Sequence, residues 1–189
     1  MDDIRLTYND AALMRAVAAG DPGAFQEVKE RYLDLVSRTS FRILCDREDS
    51  ETVTVQVFCR ILDYASDYDG CRPLTEWILA ATCRLCHIRL IRRMFLRIFA
   101  SLPDVYVTSS PSLPWEDDYI SKKAWEIYCR SCMKLSYRQR VIYILCELEG
   151  MSVSQVHYIT GLRPSSILYC LEKARERIKK ELNRYGKVR

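Results

Sequence analysis

The run Cys83-Arg84-Leu85-Cys86-His87 has the spacing of covalent haem attachment, in which two thiols take up vinyl groups and the imidazole ligates iron. That chemistry belongs outside the cytoplasm, and the chain opens without a basic-then-apolar leader. Cysteines filling small gaps on a helix face beside Trp77 and Leu85 are the better reading. A second pair, Cys129-Arg130-Ser131-Cys132, would complete a four-thiolate zinc site. Some forty residues separate the pairs, against about 15–20 in such motifs. The nine cysteines are an odd count in a chain too long for a small disulfide scaffold, so reduced, buried thiols are expected. With only His87 and His157, no glycine-rich phosphate loop and no paired carboxylates, no reaction centre emerges. Asp117-Asp118 reads as linker charge or a helix cap. The expectation is a protein that is not an enzyme and holds no metal or cofactor.

What remains is charge that could hold a polyanion. The formal net charge of +4 is small, but its distribution is uneven. Lys173 to Arg189 holds eight Lys and Arg against Glu176 and Glu181, while MDDIRLTYND is net acidic. A cationic tract of this kind favours nucleic acid or forms the solvated end of a helix. A second group, Arg84, Arg89, Arg92, Arg93 and Arg97, falls within one helical stretch.

The elements that must position these residues are helices. Asp21-Pro22 is an N-cap followed by proline at the first helical position. After it Phe25, Val28, Tyr32, Leu35, Val36, Thr39 and Ile43 form a stripe of 3.6-residue period. Asp46 caps a helix whose Val53, Val57, Phe58, Ile61, Leu62 and Ala65 share a face. Past Asp69-Gly70 and Pro73, a long helix carries Trp77, Ile78, Ala81, Leu85 and Ile88 inward. Ala11 to Ala19 forms a short leading helix, and together these make a bundle. From Ala100 to about Asp118 the pattern stops in SLPDVYVTSSPSLPWEDD, whose prolines and serines block helix. Beyond this linker a helix runs near Tyr119 to Cys132. Ser136 then caps a helix bearing Val141, Ile142, Leu145 and Leu148, which Gly150 ends. Ser152 caps a short helix, Gly161 makes a turn and Pro164 opens the last helix. Short helix, glycine turn and longer helix is the layout of a helix-turn-helix, whose second helix enters the major groove. The fold class is therefore all-α: two small helical domains joined by a flexible linker, a bundle over 1–99, the linker over 100–117, and a helix-turn-helix domain over 118–189. Domains under a hundred residues bury only about 60–65% of their unfolded surface and gain from a partner. No apolar run reaches membrane-spanning length, so a cytoplasmic protein without membrane insertion is expected.

Three segments in this order resemble the extracytoplasmic-function class of bacterial sigma factor. Ala18 to Arg60, with AAGDPGAFQEVKERYLDLV and DREDSETVTVQVFCR, is similar to its first helices. YDGCRPLTEWILAATCRLCHIRLIRR, Tyr68 to Arg93, is similar to the segment that opens the minus-ten element. LSYRQRVIYILCELEGMSVSQVHYITGLRPSSILYCLEKARERI, Leu135 to Ile178, is similar to the domain that reads the minus-thirty-five element. They cover roughly two thirds of the chain. The resemblance implies a factor that binds core RNA polymerase, brings it to promoter DNA and assists melting in transcription initiation. It assigns strand or backbone contacts to Arg84, His87, Arg89, Arg92 and Arg93. Upstream DNA falls to Arg163, Ser165, Ser166, Tyr169 and Lys173. Polymerase docking falls to the helix of Glu51, Gln56 and Phe58, with Phe58 in the core. For the linker, with Tyr106, Trp115 and Tyr119, the resemblance implies the family's segment along the RNA exit path, and an ordinary surface linker is the alternative.

Three departures qualify what is implied. In the docking helix, Asp49-Ser50-Glu51-Thr52 and Val55-Gln56 stand where the family has a more acidic run, which weakens steering toward a basic surface. In the melting segment, Arg84 and Ile88 replace the usual Asn and Asp. In the last helix, Leu168 and Cys170 stand in place of Lys and Arg, and His157 in place of a small alanine. Fewer phosphate contacts imply weak autonomous promoter recognition, which leaves a role for a DNA-targeting partner or an anti-sigma factor. The alternatives are a helix-turn-helix regulator without polymerase, or a protein-interaction module whose Ile167-Leu168-Tyr169 patch is the interface.

Overall fold

The computed structural model describes the backbone of residues 2–100 and 119–186, and the side chains of residues 10–96 and 125–184. The expected linker, with Tyr106, Trp115 and Asp117-Asp118, lies outside the described residues, as do the side chains of Arg97 and Tyr119. Among the described residues there is no strand, so the expected all-α class holds. The order is α1 (Asp2–Ala18), α2 (Pro22–Leu44), α3 (Arg47–Asp63), a 3-10 turn (Ala65–Asp67), α4 (Leu74–Ala100), α5 (Tyr119–Met133), α6 (Tyr137–Tyr143) continued by a π-helical turn (Ile144–Leu148), α7 (Val153–Thr160) and α8 (Pro164–Gly186).

The caps follow the chemistry read from the sequence. The Asp21 carboxylate accepts the amide hydrogens of Gly23 and Ala24, with Pro22 opening α2. Asp46 accepts from the Asp49 amide. Ser136 with Gln139, and Ser152 with Gln155, form reciprocal capping boxes at α6 and α7. Gly161 ends α7 at φ 70°, where a side chain would be strained. The leading helix is longer than Ala11 to Ala19, and the π turn between Tyr143 and Glu149 had no signature in the sequence.

The core begins where α1 to α4 pack. Leu13, Met14, Val28, Ile43, Val53, Ile61, Leu74 and Leu79 are buried together. The buried cluster continues without a break into Val141, Ile142, Leu145, Val156 and Ile167 from α6 to α8. Three stripe residues leave the expected face: Leu62 is 47% exposed, Ile88 52% and Leu148 37%. On α4 the reason is the true inward row, Ile78, Thr82, Cys86, Arg89 and Arg93, which runs at spacings of three and four. Past Cys86 that row turns from apolar to cationic, and Ile88 falls on the other side.

Candidate nucleic-acid interfaces and the contact between the helix groups

The five residues expected on α4 are divided between two faces. Arg89 Nε donates to Asp49 Oδ1 at 2.6 Å, and Arg93 Nη1 lies 3.2 Å from Asp46 Oδ2 and 3.4 Å from Asp49 Oδ2. Asp49 is buried, so the two guanidiniums satisfy a carboxylate taken out of water rather than awaiting phosphate. Arg84, His87 and Arg92 are at least partly exposed. The same contact changes the acidic docking run, because Asp49 points into the bundle. Glu51 remains outside and pairs with Arg47 at 2.7 Å; Gln56 is exposed, beside Val55 at 63%. Phe58 is 7% exposed and meets Phe25 edge-on at 6.4 Å, so it belongs to the core as expected.

Within the helix-turn-helix, Arg163, Ser165, Ser166 and Tyr169 all lie on the exposed surface at the start of α8. Lys173 pairs with Glu176 at 2.9 Å. The Ile167-Leu168-Tyr169 patch divides: Ile167 is fully buried, while Leu168 and Tyr169 are 54% and 62% exposed. A helix cannot turn three consecutive side chains to one side, at about 100° per residue. His157, standing where a small residue is usual, closes the turn instead. Its Nδ1–H donates to the Leu162 carbonyl at 2.7 Å, the assignment an acceptor oxygen requires.

Cys83 and Cys86 are buried, whereas His87 is partly exposed and stacks on another ring, so the three residues of the haem-like run do not converge. Burial pushes the Cys83 thiol up to about 12. Among the described residues no three His, Cys, Asp or Glu side chains group to hold a metal ion.

The sequence had no signal for how α2 and α4 meet α5 to α8. Glu149, its side chain 5% exposed, accepts from Arg38 Nη2 at 2.9 Å and Arg42 Nη1 at 2.6 Å. Two cations meet one carboxylate here, both from one face of α2. Arg140 is 5% exposed, and its guanidinium donates to the carbonyls of Ile43 at 2.8 Å and Cys132 at 3.1 Å. Phe41 stacks on Trp125 with centroids 4.6 Å apart, and the Tyr137 hydroxyl donates to the Cys83 carbonyl. His87 stacks on Tyr137 at 4.3 Å, and Arg72 lies over the Tyr158 ring at 4.4 Å. A cleft of about 1070 Å³ lies between α4 and the helix-turn-helix, lined among others by Arg60, Trp77, Arg84, His87, Tyr137 and Arg138. Its cations and aromatic rings suit unstacked bases and phosphate. Arg60 and Arg138 lie on α3 and α6, and only the fold brings them to the same cleft as α4, so no local pattern in the sequence joins them.

No family model matches the chain. In sequence it is similar to the ECF RNA polymerase sigma factor SigE of Mycolicibacterium smegmatis, 23% identical over 174 residues, covering 89% of this chain. The chain spans 66% of that protein's length. In fold it is similar to CnrH, solved in complex with the cytosolic domain of CnrY, at a TM-score of 0.67 and 16% identity, covering 92% of this chain and 97% of that one. It is also similar to the sigma factor RpoE from Bartonella quintana, solved with the anti-sigma factor NepR, at 0.68 and 16%, covering 84% and 96%. Among the described residues no helix is long and apolar enough to cross a membrane. The chain thus resembles an extracytoplasmic-function sigma factor in sequence, through SigE, and the sigma factor RpoE in fold.

Proposed function

We propose that this protein is a sigma factor of the extracytoplasmic-function type: it binds core RNA polymerase, directs it to promoter DNA and assists melting in transcription initiation. The observation that carries the reading is the fold match to the sigma factor RpoE over 84% of the chain, with an exposed cationic face on α4 and a helix-turn-helix in the same chain. Residues 1–99 are the polymerase- and strand-binding domain, 100–117 the linker, and 118–189 the upstream DNA-binding domain. Arg84, His87 and Arg92 contact the separated strand, with Arg60 and Arg138 beside them. Arg89 and Arg93 act by holding α4 against α3. Arg163, Ser165, Ser166, Tyr169 and Lys173 face duplex DNA. Glu51 and Gln56 dock polymerase, with Phe58 supporting their helix from within. The role is regulatory rather than catalytic, and its place is the cytoplasm, where polymerase and promoter are. The anti-sigma factor NepR, solved with RpoE, favours an anti-sigma partner for this chain as well.

In vitro transcription with core polymerase and the purified protein, with start sites mapped over a genomic template library, tests the reading. Discrete new starts sharing an upstream motif are expected. Stable co-elution with polymerase but no starts would leave recruitment needing a DNA-targeting partner. Neither starts nor co-elution would overturn the reading.

A second reading, a protein-interaction module, is favoured by exposed Leu168 and Tyr169 where phosphate-binding cations would serve DNA better. Weak duplex binding at every salt concentration is its signature.

A further inference from the structure

The second helix group finishes the end of α2. The carbonyls of Arg42 and Ile43 lie in its last turn, where intrahelical donors run out. Tyr128 and Arg140, both from α5–α8, donate to these two oxygens at 3.4 and 2.8 Å. Both cations that Glu149 meets, Arg38 and Arg42, come from the first group. Apolar side chains also pack across this contact, which makes the closed arrangement the resting one. Its effect falls on α4. The Tyr137 ring lies on His87 with centroids 4.3 Å and planes 15° apart, the stacked geometry by which an aromatic side chain holds an unstacked base. The Tyr137 hydroxyl donates to the Cys83 carbonyl, one turn earlier on α4, and so fixes the ring in place.

We propose that α5–α8 form an autoinhibitory cover over α4 in the free chain, with Tyr137 in the base-stacking place on His87 and Glu149 as the latch. The inference rests on the assignment of Arg84 and His87 to the separated strand, and so on the sigma-factor reading. A strand reaches His87 only when Tyr137 leaves it. Opening returns the Glu149 carboxylate, whose side chain is 5% exposed when closed, to water together with Arg38 and Arg42. These polar groups find water in place of one another, which keeps the closure reversible. Strand binding and closure therefore exclude each other, and each weakens the other by the same factor.

The first test uses the unsubstituted full chain and a single-stranded DNA oligonucleotide. Carboxyl labelling with a carbodiimide and an amine, mapped by mass spectrometry, reads whether Glu149 is covered. In the free chain Glu149 is expected to label several-fold more slowly than Glu51, which is 63% exposed. Saturating oligonucleotide should bring the two rates together. Equal rates in the free chain, or a slow Glu149 rate that the bound strand leaves unchanged, would overturn the proposal. The second test compares Glu149→Arg, which sets three cations together, with Glu30→Arg, the same charge change at an exposed position of α2. The latch variant is expected to bind the oligonucleotide about tenfold more tightly than this control, the gain when a competent form rises from about one part in ten to nearly all. Equal affinities, or no strand binding by either chain, would overturn the cover. Failure of the sigma-factor reading shows separately, as no co-elution with core polymerase by the unsubstituted chain or the latch variant, while the labelling rates still decide the closure. Because those rates are read on the unsubstituted chain, a variant that fails to fold does not leave the question open.

Discussion

Helices α4 and α8 both look from the sequence like surfaces for nucleic acid, and the structure separates them by what their charges already hold. On α4 the arginines divide by face. Arg89 and Arg93 neutralise Asp49 and Asp46 within the bundle, while Arg84 and Arg92 face outward. On α8 the exposed positions near the turn carry Leu168 and Tyr169, and its cations begin later, with Lys173 and Arg175 paired to Glu176 and Glu147. Both helices are rich in Lys and Arg, yet α4 offers charge where it meets the cleft, whereas α8 offers shape and apolar surface where a groove-reading helix begins. A count of cations thus measures less than their partners do.

The comparison breaks most sharply within α8. Ile167→Ala removes a fully buried side chain and is expected to cost about 3 kcal/mol of folding stability, within the range for such truncations. Leu168→Ala, one residue on, is expected to stay within about 0.5 kcal/mol. Urea unfolding of both variants measures the difference. Equal losses would mean that the two side chains do not divide between core and surface.

The corresponding experiment on α4 is Arg89→Ala. It strands the Asp49 carboxylate, whose side chain is 12% exposed, with only the longer contact from Arg93. Removing one partner of a buried pair costs about 3–5 kcal/mol. Because Arg89 is itself 29% exposed, solvent screening reduces the expectation to about 2 kcal/mol. Arg92→Ala should leave the unfolding midpoint unchanged.

These contrasts also mark what the sequence could reveal. The caps were legible because their chemistry is local: Asp21, Asp46, Ser136 and Ser152 each satisfy amides two or three residues away. The apolar stripe of α2 was legible for the same reason, since one helix period relates its members. Arg89 looks like a DNA contact in the sequence because its partner Asp49 lies forty residues earlier, and no local pattern joins them. Glu149, with Arg38 and Arg42 more than a hundred positions before it, was invisible on the same ground. Local reading therefore draws the helices that bear the cationic candidate site but cannot separate the arginines already paired from those left facing outward.

A smaller effect tests the outward half of α4. Arg84→Ala with Arg92→Ala should leave stability unchanged within about 0.5 kcal/mol. Affinity for single-stranded DNA should fall several-fold, and the salt dependence should flatten by about 0.7 for each phosphate that is no longer neutralised. A filter-binding titration at several salt concentrations reads both. A double variant that binds with an unchanged slope would remove this face from the strand-binding site.

The smallest effect is a gain. Leu168 is exposed at a position where the resembled family carries lysine, so Leu168→Lys adds a cation without opening the core beneath Ile167. If α8 lies in the groove of duplex DNA, the new ammonium meets a phosphate, and the slope of log affinity against log salt steepens by about 0.9. If Leu168 and Tyr169 instead form a protein-binding patch, the charge finds no phosphate and the slope stays as it was. The added lysine would then weaken capture of the partner that those side chains serve, since desolvating an unpaired ammonium at an interface is unfavourable. One substitution thus moves the two readings of α8 in opposite directions, and the unchanged unfolding midpoint shows that neither result comes from loss of fold.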